Sequence, residues 1–97
     1  MTHLPWADFS ARFGKASHPS GMAIFVSPDH PDFPPMWLTR HYGALCLGWP
    51  GVEPKTFSAA VPIRCRYQVW IHRGDPKQTE FEKLFQNFEL ALKAVVN

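Results

Sequence analysis

Nine consecutive residues, Ser27-Pro28-Asp29-His30-Pro31-Asp32-Phe33-Pro34-Pro35, hold four prolines. Each proline removes a backbone donor and pushes the residue before it out of the helical region. Neither a helix nor a central strand survives that, so residues 27–35 read as a stiff, exposed loop. With ten prolines and six glycines in all against 14% aromatics, the chain favours short strands with tight corners over a helix bundle. Its 97 residues suffice for one domain, 1–97. A composition of 45% hydrophobic and 19% charged residues excludes a disordered chain. The net charge of +2, from 10 basic and 8 acidic residues, is too small and too mixed for a nucleic-acid binder. No apolar run approaches the roughly 18–20 residues that cross a bilayer. The start, Met1 to Trp6, lacks the regions of a signal peptide. A cytoplasmic protein with no membrane and no nucleic-acid partner is expected.

The strands fall within residues 5–73. One irregular strand is expected around Trp6–Phe13, before the turn signal Ser17-His18-Pro19-Ser20-Gly21. Met22-Ala23-Ile24-Phe25-Val26 is continuously apolar and reads as a strand buried on both faces. Beyond the proline loop, Trp37–Arg40 suggests a short strand, Tyr42–Trp49 a longer one, and Thr56–Ser58 another. The clearest pattern runs from Val61 to His72. There Val61, Ile63, Cys65, Tyr67, Val69 and Ile71 alternate with Pro62, Arg64, Arg66, Gln68, Trp70 and His72. A period of two predicts one face in the core, the apolar one, and a polar face that carries Trp70 and His72.

Gly74-Asp75-Pro76 then changes the period. Asp75 suits a helix cap and Pro76 a first helical position. Phe81, Leu84, Phe85, Phe88, Ala91, Leu92 and Val95 follow helical spacing, which predicts a helix over about 76–95. The expected architecture is mainly β: an antiparallel β-sandwich or supersandwich fragment with one C-terminal α-helix. Cys46 and Cys65 lie in strand-like apolar stretches and read as buried free thiols, with a disulfide between neighbouring strands as the alternative.

Few residues point to chemistry. No GxSxG elbow, glycine-rich phosphate loop or zinc-type spacing occurs, so no catalytic residue, metal or cofactor is assigned. His30 with Asp29 and Asp32 matches no standard metal site. The densest patch is Met36 to Gly43, closed by Gly48-Trp49-Pro50-Gly51. Aromatic faces there suit the C–H side of a sugar ring, while arginine and imidazole donate to its hydroxyls. Trp37, Arg40, His41, Tyr42 and Trp49, joined by Trp70 and His72, form the expected substrate-binding set; the alternative is that Trp37 and Trp49 belong to the core and Arg40 ties strand ends. Their convergence requires a twist or a bulge near Thr39, because Trp37 and Arg40 are three residues apart.

Several of these stretches resemble a family of bacterial proteins labelled PmoA-like. The matching segments are Trp6-Ala7-Asp8-Phe9-Ser10, Gly21-Met22-Ala23-Ile24-Phe25, the proline loop, Trp37 to Gly43, and Tyr67 to Gly74. The resemblance spans nearly the whole chain, with Arg40, Tyr42, Gly43 and His72 kept. Ser27, His30 and Leu38 stand where that pattern has histidine, asparagine and histidine. Family members are several times longer, and this chain is similar to their C-terminal portion. The resemblance implies the β-supersandwich of aldose-mutarotase-like proteins, which act on or bind carbohydrates. Methane oxidation, suggested by the label, does not fit a chain with no spanning segment.

Two functions from different classes are therefore expected. One is a carbohydrate-binding or carbohydrate-associated β-sandwich module, with a small carbohydrate as partner. The other is a non-enzymatic interaction or assembly module that forms a homo-oligomer through open strand edges and a phenylalanine-faced helix. An isolated chain is not expected to be a complete enzyme, since only His41 or His72 offers an acid or base and Glu53 is a poor carboxylate for the other.

Overall fold

The run of small, aromatic and β-branched residues at Gly21–Val26 forms a strand that is hydrogen-bonded on both sides. In a computed structural model, which describes residues 2–40, 44–51 and 53–95, this strand is the centre of one of two antiparallel sheets. For Thr39, Arg40, Ala44 and Val95 the backbone alone is described. In chain order the strands are β1 (Thr2–His3), β2 (Trp6–Ala11), β3 (Ser20–Val26), β4 (Met36–Arg40), β5 (Ala44–Leu47) and β6 (Tyr67–Arg73). One helix, α1 (Gln78–Val95), follows. The sheets have the orders β2-β3-β6 and β1-β4-β5. The protein is thus mainly β with a C-terminal helix.

Each face of the β2-β3-β6 sheet has its own cover. On one face Ala23 and Phe25 pack with Phe81 and Phe88 of α1, flanked by Trp6, Trp70 and Leu84. On the other face Ala7 and Val26 pack with Trp37 of the second sheet, together with Ile24, Leu45 and Leu47. Trp37 is 1% exposed, and its indole Nε1 donates to the Leu4 carbonyl at 2.8 Å. The apolar spacing of α1 therefore answers to β3, and the alternation of β3 to both layers.

Several expectations are corrected. The strand expected from Val61 begins only at Tyr67, and Val61 and Ile63 are exposed. Pro62 can donate no ladder bond, which weakens pairing of the upstream half. The expected faces of this strand are reversed. Tyr67, Val69 and Ile71 point to solvent, whereas Trp70 and His72 lie beneath α1. Alternation says which residues share a face, not which face is covered. Here Trp70 and Phe81 meet edge to face at 5.5 Å, and His72 finds polar partners below the helix.

No strand forms at Thr56–Ser58. Residues 27–35 form a loop as expected, but Ser27, His30 and Pro35 in it are buried. Local turns satisfy its backbone: His30 N–H donates to the Ser27 carbonyl and Phe33 N–H to that of His30. Helix α1 starts two residues later than Pro76, with the Lys77 carbonyl accepting from Phe81 N–H, so Asp75 lies outside it. Cys46 is exposed rather than buried, Cys65 is half-buried, and both are free thiols.

Candidate functional site

The register of the larger sheet brings distant residues into one row. Ser10 pairs with Gly21, and Gly21 pairs with His72. Strands two apart are separated by about 9.5 Å, so side chains on β2 and β6 meet only if the middle residue has none. Gly21 supplies that gap. A Cβ built there would lie 2.4 Å from the Phe9 carbonyl oxygen, 2.6 Å from Ser10 Oγ and 2.9 Å from His72 Cε1.

Across this gap three polar side chains converge. His72 Nε2 lies 2.6 Å from Asp8 Oδ1, and Ser10 Oγ donates to Asp8 Oδ2 at 2.5 Å. Asp8 and Ser10 are two apart on β2 and so share a face. The His72 side chain is 2% exposed and that of Asp8 16%, so the cluster is largely desolvated and its hydrogen-bond geometry matters. Bonding to Asp8 makes Nε2 the protonated ring nitrogen. Nδ1 is buried without a protein partner.

The arrangement is centred on the carboxylate, not on the imidazole. Ser10 donates a hydrogen bond to Asp8, and its oxygen stands 3.5 Å from His72 Nε2, a nitrogen already committed to Asp8. Ser10 therefore lacks the imidazole base of a serine triad. What the cluster can do is hold a carboxylate in one orientation at the wall of a cleft. That cleft, of about 800 Å³, runs between β2 and α1 and is lined by Trp6, Asp8, Gln78, Phe81, Glu82 and Gln86 among others. Trp6 stacks on Phe81 at 4.8 Å, which fixes both rings. Carboxylates, amides and aromatic faces in one cleft match a ligand with hydroxyl groups and C–H surfaces.

A second polar cluster lies on the proline loop. Asp29 is bound by Ser27 and Arg66, and these bonds hold its carboxyl below the ordinary range. Asp32 accepts from Lys55 and from Trp49 Nε1, the latter at 2.6 Å, and is lowered for that reason. His30 is pushed down by burial, its ring set edge-on to Trp49 at 4.9 Å. Its Nδ1 accepts from Asp32 N–H at 3.1 Å. Both carboxylates are thus engaged in ties within the loop. Among the described residues no group of three or more His, Cys, Asp or Glu side chains gathers as a metal site would require.

The expected substrate-binding residues whose side chains are described do not form one patch. Trp37 is buried between the sheets, whereas Trp70 and His72 lie on the opposite face of β2-β3-β6, their rings 4.9 Å apart. Trp49 belongs to the proline-loop cluster. His41 and Tyr42 lie outside the described residues, as does the Arg40 side chain. Of the twist or bulge expected near Thr39, the bulge is absent: β4 and β5 pair in unbroken register from Trp37↔Leu47 to Arg40↔Ala44. Among the described side chains of this set, Trp70 and His72 are brought together. Asp8 and Ser10 were not among them. Their signal was the two-residue spacing on a strand, but nothing local links them to a histidine 64 and 62 positions away.

Fold and site together define a class: a two-sheet, mainly-β protein with one covering helix and a carboxylate–imidazole cluster bridging the outer strands of one sheet. The chain belongs to a family of unknown function, DUF6807, whose model matches residues 1–86. The match takes in all six strands and the first half of α1. No curated protein and no solved structure matches the chain. Among the described residues no helix is long and apolar enough to cross a membrane.

Proposed function

We propose that the chain is a carbohydrate-associated β-sandwich module that binds a small hydroxylated ligand between β2 and α1. The observation that carries this reading is the Asp8 carboxylate, oriented by Ser10 and His72, on the wall of the cleft beside Trp6. Gln78, Glu82 and Gln86 add donors and acceptors along the helix side. The resemblance to PmoA-like proteins, and through them to mutarotase-like supersandwiches, supports a sugar as the ligand class. Binding rather than catalysis is proposed because Asp8 is committed to hydrogen bonds with His72 and Ser10, which fix its orientation. The free thiols Cys46 and Cys65 support a reducing, cytoplasmic setting.

The test is a titration with a panel of hexoses and pentoses, read by tryptophan fluorescence and amide shifts. An open cleft desolvates few polar contacts, so a Kd of roughly millimolar is expected. Glu82→Ala and Gln86→Ala, both on exposed helix positions, should weaken binding several-fold without changing the circular dichroism. No response from any sugar at tens of millimolar, or binding indifferent to both substitutions, would overturn the cleft as the site.

A further inference from the structure

Strand β6 is an outer strand of its sheet, and among the described residues nothing pairs with its free edge. An edge left for solvent normally carries lysine, proline or a bulge that discourages further pairing. β6 has none of these. It pairs with β3 without interruption over all seven residues, from Val26↔Tyr67 to Ser20↔Arg73. Its outward side chains are also uncovered, with Ile71 79% exposed, Val69 54% and Tyr67 43%. On the neighbouring strand Met22, the partner of Ile71, continues the same apolar strip.

The order of side chains on that strip says which occupant fits. We infer that β6 adds edge to edge to β6 of a second copy of this chain, antiparallel and centred on Trp70. Trp70 is the midpoint of Tyr67–Arg73, so a two-fold axis there uses the whole strand. In this register Val69 faces Ile71 of the other copy, and Ile71 faces Val69. Tyr67 faces Arg73, placing the one outward charge of the strand over an aromatic ring. No like charges oppose each other, because Arg73 meets Tyr67 and the other basic residue, Arg66, is tied to Asp29 before the strand begins. The result is a continuous six-stranded sheet with two apolar pairs closed against water. The inference is independent of the cleft, which lies at the opposite outer strand.

Sedimentation equilibrium of the whole chain over micromolar to millimolar concentrations tests it. A reversible monomer–dimer equilibrium is expected. Val69→Lys and Ile71→Glu should each weaken it about tenfold or more, because each leaves a charge facing an apolar side chain. The double variant V69K/I71E sets lysine opposite glutamate of the other copy at both pairs, and should recover most of the association. Circular dichroism checks that the exposed substitutions leave the fold intact. A monomer at every concentration would overturn the proposal. So would association unaffected by the single variants, which points to another surface such as that around Leu90, or a double variant no better than the singles, which excludes this register.

Discussion

A single missing side chain lets two outer strands of a sheet meet. At Gly21 any Cβ would collide with a backbone carbonyl oxygen 2.4 Å away, and backbone cannot rotate aside as a flexible side chain can. Gly21→Ala should therefore destabilise the protein by about 3 kcal/mol, the upper end of what overpacking costs. It should also separate His72 from Asp8. A denaturant midpoint measures the first effect, and the histidine ring signals of the folded variant report the second. Retention of parental stability would mean that the row Ser10–Gly21–His72 is looser than its geometry indicates. The choice of glycine here follows from close approach and not from a turn, since its neighbours pair regularly on both sides.

Among the elements, α1 covers one face of the β2-β3-β6 sheet, and its residues are not equivalent. Phe81 is buried, stacked on Trp6 and set edge-on to both Trp70 and His72. Removing its ring opens a cavity between helix and sheet. Phe81→Ala is expected to cost about 3–5 kcal/mol, a large part of the roughly 5–15 kcal/mol that stabilises a native domain. Leu90 belongs to the same helix but faces solvent at 63% exposure. Leu90→Ala should change stability by less than about 0.5 kcal/mol. Thermal unfolding of the two variants side by side checks the assignment of faces, and equal losses would contradict it. Phe85, stacked in parallel with Phe33 at 6.2 Å, ties the helix to the proline loop as well as to Phe25.

At the scale of the whole molecule, stability should respond to acid in two stages. His30 is pushed below its ordinary value of 6.5 by burial. The folded state then binds fewer protons than the unfolded one, so this contribution is present above the unfolded value and fades as the pH falls through and below it. Asp29 and Asp32 are lowered from 3.8 by their bonds to Ser27, Arg66, Lys55 and Trp49. Their contribution is present above 3.8 and is lost as the pH falls toward their folded values. It is small, because both carboxylates are well exposed to solvent. Urea unfolding from roughly pH 7 down to pH 5 should thus show a loss that is reduced in His30→Gln, with a shallow second loss below pH 3.8 shared by both proteins. An unchanged slope in His30→Gln over the first interval would show that the imidazole is not held neutral by the fold.

Local physics made much of the architecture legible. Prolines stop strands wherever they stand, so the loop at 27–35 and the shortness of the strands follow from backbone chemistry alone. The helical period from Phe81 onward located α1 to within two residues, because spacing of 3.6 is a property of neighbours in the chain. The period of two in Tyr67–Arg73 likewise marked β6. It did not say that Trp70 and His72 would be the covered side, since a strand offers two faces and only the packing of a helix chooses between them. The candidate site was the least legible part. Asp8, Ser10, Gly21 and His72 come from three strands, and their chemistry exists only once β2, β3 and β6 are in register. Trp37 shows the converse, a residue whose type suits a ligand shelf but whose volume fills the space between two sheets. Elements were written in the sequence because they depend on residues a few positions apart. The site was decided by the tertiary structure, because hydrogen bonding between side chains more than sixty residues apart depends on pairing that no local pattern records.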